Sequence, residues 1–302
     1  MKDFLRIQTI GQLHRMLGYE KPKHSLITVL DYSKFTPNPE HYNTNLVTDF
    51  YVISMKSPAP KSLLYGRQFY DFEEGTMMFV SPQQVFSVES FNESTKYEGW
   101  GIYFHPDLIN KTHLAKKLKK YTFFSYGVHE ALHLSEDEKD MLNLIVKNIE
   151  KEYNSTIDGY SQEVIVTAID LLLNYCQRFY GRQFITRKKT SSDLLSKFEK
   201  ELSDYFADEN LYRNSLPGVD YFAKKLNLSA NYLSDLLKKE TGKSTKEHIQ
   251  LHVMELAKIR LLNSDDNISE IAFGLGFEYS QYFSRLFKEK TGFTPIEYRN
   301  MN

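Results

Sequence analysis

The sequence predicts an α+β protein of two domains: a β-rich N-terminal half that becomes helical, and an all-α C-terminal domain of two helix-turn-helix units. Three observations predict it. The 302 residues suffice for two cores, at roughly 100 to 200 residues per domain. Short apolar, β-branched runs punctuated by Pro and Gly occupy residues 25 to 104. Near the C-terminus, YLSDLLKKETG (Tyr232 to Gly242) returns as YFSRLFKEKTG (Tyr282 to Gly292), 50 residues later with its pattern in register. The boundaries that follow are 1–181 for the first domain, helical from about 107, then a linker at 182–192 and the second domain at 193–302.

In the N-terminal half, Leu26 to Leu30, Phe50 to Ile53 and Met77 to Val80 read as strands of a small sandwich or barrel. Its interior would be lined by Tyr51, Phe69, Phe79, Phe86 and Trp100, a setting for a small organic ligand or, alternatively, a closed core without a pocket. His24, His41 and His105 are scattered singly, so no metal site is expected. Ser135 with Glu138 forms a capping box, and Leu142, Ile145 and Ile149 mark one face of the helix it opens. A second helix from Ser161 spaces Ile165, Ala168, Leu172, Tyr175 and Phe179 by threes and fours. That seam suits either a homodimer through helices within 135–180 or packing inside the chain. Cys176 shares the stripe and reads as a structural thiol. Arg187, Lys188, Lys189, Thr190 and Ser191 give the linker its polar character.

In the repeat, Leu233 with Leu236 and Leu237, and Phe283 with Leu286 and Phe287, follow the i, i+3, i+4 spacing of one helical face. Each helix ends at a glycine, Gly242 or Gly292. Upstream lie shorter helices, Val219 to Leu226 and Ile268 to Leu275, with Ala223 and Ala272 permitting close approach. Asn227 and Gly276 are suited to the positive φ of the intervening turns. Ser229 is placed to cap the first downstream helix, and Asn267 with Glu270 to open the second unit.

At this level of detail ISEIAFGLGFEYSQYFSRLFKEKTGFTPIEYR, Ile268 to Arg299, resembles the signature of the AraC/XylS family of transcription regulators. The resemblance covers about the last 110 residues, with Asp193 to Tyr205 as leading helix and Met254 to Leu262 as the joining helix. It departs at Val253, where the family usually has arginine. FEEGTMMFVSPQQVFSV, Phe72 to Val88, is similar to the cupin-like sensing domain of many relatives, with Phe86 where they often carry histidine. The resemblance implies a cupin-like barrel with a helical dimerisation segment, joined to a domain that reads double-stranded DNA.

In such a unit the second helix enters the major groove. Asn231, Ser234, Asp235 and Lys238 on the first such helix, and Ser280, Gln281, Ser284, Arg285 and Lys288 on the second, are the expected DNA-facing residues. Asn231, Gln281 and Arg285 suit base edges, whereas Lys238 and Lys288 suit phosphates. Asp235 stands where the second copy has Arg285, and either accepts from a cytosine amino group or is solvated.

Charge alone does not carry this reading. Residues 182–302 hold 19 Lys+Arg against 17 Asp+Glu, and residues 1–181 hold 19 against 22, so neither half is basic. With 41% apolar and 14% aromatic residues the chain is expected to fold. One cysteine rules out an internal disulfide, and a charged N-terminus with no long apolar run points to the cytoplasm rather than a membrane. No cofactor is expected and the chain is read as no enzyme, because it lacks the residues of a cupin metal catalyst or a methyl-accepting repair protein. A small-molecule effector and RNA polymerase are admitted as partners. The competing reading makes the N-terminal domain a dimerisation or protein-docking scaffold that senses nothing itself.

Overall fold

The computed structural model describes residues 4–34, 44–57, 75–88, 98–126, 130–186, 188–207 and 215–300. The chain divides into two compact units, Met1–Gln183 and Phe184–Asn302.

The first unit holds strands β1 (Phe4–Ile7), β2 (Ile27–Asp31), β3 (Thr44–Thr48), β4 (Tyr51–Ser57), β5 (Thr76–Val80), β6 (Val85–Val88), β7 (Glu98–Phe104) and β8 (Leu132–His133). They form two sheets, ordered β1-β3-β6 and β2-β7-β4-β5-β8. The larger is antiparallel throughout, whereas β1 runs parallel to β3. The closed barrel implied by the cupin-like resemblance is not formed among the described residues, where both sheets are open. Strand spacing reports how many strands there are; closure depends on which edges pair, and that is a long-range property.

Alternation along β4, β5 and β7 sorts side chains between the two faces of the large sheet. Register places Tyr51 opposite Phe104, Ile53 opposite Ile102 and Phe79, and Met55 opposite Trp100. This face is covered by α4 (Glu136–Asn154), by α5 (Ser161–Thr186) and by the 3₁₀ turn Thr122–Ser125: Phe79 packs on Phe123 and Tyr180, and Trp100 Nε1 donates to Asn143 Oδ1 at 2.9 Å. The opposite face brings Leu30 and Tyr103 to a cluster with Ile7, Ile10, Leu13, Leu46 and Phe50. A sheet covered on both faces explains why four consecutive residues of β4, Val52 to Met55, are all buried.

Ile10 and Leu13 belong to α1 (Ile10–Leu17), a helix the sequence reading passed over although Thr9 and Gln12 form a capping box at its start. Two short helices, α2 (Pro106–Ile109) and α3 (His113–Leu118), follow the sheet. The box expected at Ser135 and Glu138 is present at the start of α4. On α5 the seam residues Ile165, Leu172 and Phe179 are buried inside the unit, together with Ile169, Leu173 and Cys176. Lys117 and Tyr121 reach Asp170 on the same helix, with Lys117 Nζ 2.7 Å from Oδ1. The periodic stripe therefore records a covered face, and the cover comes from the same chain. Burial also pushes the Cys176 thiol well above its ordinary range, which keeps it protonated and unreactive.

The stretch 182–192 is helical on both sides of residue 187: α5 runs to Thr186 and α6 (Lys188–Ala207) begins two residues later. Its polar composition does not break the helical backbone on either side of residue 187, and the division between the units falls inside it. Among the described residues no helix is long and apolar enough to cross a membrane, and no group of three His, Cys, Asp or Glu could hold a metal ion.

The second unit continues with α7 (Val219–Lys225), α8 (Ala230–Thr241), α9 (Thr245–Asn263), α10 (Ile268–Gly274), α11 (Ser280–Thr291) and α12 (Pro295–Arg299). α9 packs against α8, α10, α11 and α12, joining the two repeats. It is longer than the expected Met254 to Leu262, because Ser244 and Glu247 form a capping box that starts the helix at Thr245, nine residues before that segment. Val253, Met254, Ala257 and Leu261 form its buried stripe.

Candidate nucleic-acid interface

Each repeat makes the same local construction from its own residues. Asn227 (φ 56°) and Gly276 (φ 84°) occupy the left-handed region at the turns after α7 and α10. Leu228 N–H then bonds Ala223 O at 2.8 Å, and Phe277 N–H bonds Ala272 O at 3.1 Å, so the small alanines sit where the chain doubles back. α8 and α11 both stop at a left-handed glycine, Gly242 and Gly292. The repeats differ inside the turn. Asn227 and Gly276 are 49 positions apart, whereas the helices that follow are 50 apart, so the second turn is one residue longer. Ser229 caps α8 by accepting from Tyr232 N–H; its counterpart Tyr279 makes no side-chain cap on α11.

Burial divides each recognition helix along its length. Tyr232, Leu233, Leu236 and Leu237 are buried on α8, and Phe283, Leu286 and Phe287 on α11. Asn231 and Lys238 are exposed, as are Gln281, Arg285 and Lys288; Asp235, Ser280 and Ser284 are half-buried. Ser234 is also half-buried, and its hydroxyl donates to Thr245 Oγ1 at 3.2 Å, pinning α8 to the first turn of α9. Lys238 and Lys290 both bear on Glu247, whose carboxylate is held below its ordinary range mainly by the Ser244 N–H and hydroxyl. The basic ends of both recognition helices thus act electrostatically on the start of α9.

The frame behind these helices is fixed by two arginines that point inward. Arg260 donates to Gly274 O at 3.0 Å, and Arg299 to Leu261 O at 3.1 Å and Asp266 O at 2.7 Å. Val253, the position where the sequence departs from its relatives, is 1% exposed in the core, so it offers no phosphate contact.

Residues 222–301 match the family described as the helix-turn-helix domain. This stretch is a helix-turn-helix domain. Among curated relatives, the HTH-type transcriptional regulator YijO of Escherichia coli is 31% identical over 128 residues, covering 42% of this chain and 42% of its own length. The Msm operon regulatory protein of Streptococcus mutans is 40% identical over 81 residues, covering 27% of this chain and 29% of its own length. The chain thus spans less than half the length of these relatives. Among solved structures, the C-terminal domain of the response regulator yesN from Fusobacterium nucleatum is 31% identical, with 34% of this chain and 97% of that one covered, and a TM-score of 0.30.

Around the helix-turn-helix domain's second recognition helix the structure adds residues that the sequence reading did not single out. Tyr279 is 66% exposed at the N-cap of α11, and the half-exposed Tyr282 lies 5.5 Å beneath the Arg285 guanidinium. An aromatic three residues before an arginine on a helix is the signal that was available.

Of the residues expected to line a ligand pocket, Tyr51, Phe79 and Trp100 lie on one face of the large sheet. There Tyr51 stacks on Phe104 at 5.3 Å and Phe79 meets Phe123 at 4.5 Å. Phe69 lies outside the described residues, and Phe86 holds a register position on β6 opposite Leu46. Ser54, Lys56 and Tyr103 share the other face of the sheet. Tyr103 and Tyr32 bring their hydroxyls to 3.1 Å, and Lys56 Nζ stands 4.8 Å over the Tyr32 ring. Burial pulls the Lys56 ammonium down to about 8.

Proposed function

We propose that this protein is a sequence-specific transcription regulator of the AraC type that reads two successive major-groove segments of double-stranded DNA. One observation carries the reading: two helix-turn-helix units, each with its own positive-φ turn and glycine stop, present polar faces on α8 and α11. The names of two relatives, one an HTH-type transcriptional regulator and the other an operon regulatory protein, support it. Asn231, Gln281 and Arg285 read base edges, Asn and Gln by two bonds to adenine and Arg by two to guanine, each good pair contributing about 1–3 kcal/mol of discrimination. Lys238 and Lys288 hold phosphates, and Asp235, Ser280 and Ser284 flank the readers. The regulator works in the cytoplasm without a cofactor and catalyses no reaction.

In this reading the first unit is a cupin-like sensing domain, and an effector acts by binding two arrangements of the protein unequally. The effector's seat in this reading is lined by Tyr51, Phe69, Phe79, Phe86 and Trp100. A homodimer would use the outer faces of α4 and α5, where Leu144 and Val164 are exposed, and RNA polymerase is the partner at promoters. A second reading, a scaffold that senses nothing, is favoured by the dense aromatic filling of the sheet face around Phe79.

Selection of bound duplexes from a random pool at fixed near-physiological salt tests the proposal. Two short elements about 34 Å apart along the duplex, bound roughly a thousandfold above scrambled DNA, are expected. Absence of enrichment, with and without candidate effectors, would overturn it.

A further inference from the structure

We infer that Tyr282 is a positioning residue for Arg285: its ring holds the guanidinium where α11 meets DNA. The inference rests on the DNA-reading role proposed above. Arg285 is exposed, and a long exposed side chain samples many rotamers before it can contact a base; every rotamer removed in advance lowers the entropic cost of binding. The guanidinium lies 5.5 Å from the centroid of the Tyr282 ring, within reach of a cation–π attraction. The ring is itself supported from beneath, because buried Phe277 packs against it at 5.9 Å. The order Phe277, Tyr282, Arg285 runs from core to surface, so the core fixes the ring and the ring fixes the cation. A guanidinium resting on a ring by its face keeps its N–H edge available for the O6 and N7 acceptors of guanine.

The first repeat shows that this is no general property of the scaffold. Tyr232 holds the same repeat position as Tyr282, but it is buried and packs on Phe184 at 5.2 Å, and the residue three positions on is Asp235. One tyrosine thus fills the core while its repeat partner comes out to meet an arginine. The inference therefore assigns the two recognition helices unequal roles, with α11 carrying the preorganised reader.

The test is a double-mutant cycle on the full-length protein, using the selected duplex and its single-base variants at fixed salt. Tyr282→Leu keeps apolar cover over Phe277 and removes the π face; Tyr282→Phe keeps both. Circular dichroism melting confirms that each variant is folded. Tyr282→Leu is expected to weaken binding to the preferred duplex by roughly two- to fivefold, the range an exposed cation–π contact supports, and Tyr282→Phe to restore it. Adding Tyr282→Leu to Arg285→Ala should then cost nothing further. Additive losses, or an equal loss in Tyr282→Phe, would overturn the inference. The role of Arg285 is read separately: if Arg285→Ala weakens all duplexes equally, it contacts a phosphate instead of a base. In that case a non-additive cycle still supports positioning by Tyr282, and an additive one still overturns it.

Discussion

Thr241 Oγ1 and His248 Nε2 stand 2.7 Å apart where α8 gives way to α9. Thr241 donates its own proton to Leu237 O at 2.8 Å, so the imidazole donates to it through Nε2. Burial first, then Lys243, lowers the His248 pKa from 6.5, while Glu199 and Glu247 oppose; burial likewise lowers that of His252, which packs on Phe206. A histidine depressed in the folded state favours the neutral form. Its contribution to stability is present above 6.5 and is lost as pH falls through the lower folded values. Melting of the helical signal should therefore shift to lower temperature between pH 7.5 and 5, with a shallower dependence in His248→Gln. An unchanged slope in that variant would remove His248 from the account.

The caps of the two recognition helices differ, and substitution should show it. Ser229→Ala removes the bond to Tyr232 N–H and should cost about 1 kcal/mol by denaturant unfolding. Tyr279→Ala removes no cap, while Tyr279→Ser creates one and should stabilise by a similar amount. Equal effects at both positions would contradict the asymmetry.

At the turns, Gly276→Ala should destabilise by about 1–2 kcal/mol, because a Cβ is disfavoured at φ 84°. Asn227→Gly, at φ 56°, should change stability by less than about 1 kcal/mol, since asparagine already tolerates that region. Chemical denaturation of both variants decides the comparison.

Ser234 separates structural from DNA-facing roles. Ser234→Ala loses the bond to Thr245 and should cost about 1 kcal/mol of stability, with DNA affinity changed less than about twofold. Lys288→Ala should do the reverse, leaving stability intact and lowering the salt dependence of binding by about one phosphate contact. A large affinity loss in Ser234→Ala would return it to the interface.

The second unit was legible wherever a feature is fixed within a few residues. The box at Asn267, the stops at Gly242 and Gly292, and the turns at Asn227 and Gly276 each depend on contacts within a few residues. The extra residue in the second turn escaped notice because matching Tyr232 to Tyr282 hides a shift upstream of both. In the first unit β2, β4 and β5 were legible and the assembly of the sheets was not: β1 pairs with β3 at a separation of 41 positions, and no local pattern states which edge stays open. Likewise, Ile165, Leu172 and Phe179 declare a face to be covered, but the Phe123 and Tyr180 contacts that identify the cover arise far apart in sequence. At the interface, the polarity of α8 placed Ser234 with its exposed neighbours, whereas Thr245 on the next helix decides where its hydroxyl goes.

The chain has one tryptophan, Trp100, held on β7 with its ring NH fixed to Asn143 and 8% exposed. Its fluorescence is thus a built-in optical label for the first unit, blue-shifted while the sheet and α4 stay together and red-shifted once they part. No tryptophan lies in the second unit, so emission follows the N-terminal transition alone while far-ultraviolet ellipticity follows both. Overlaying the two curves would show whether the units melt together, and an effector that raised only the fluorescence midpoint would disclose its seat without any engineered dye.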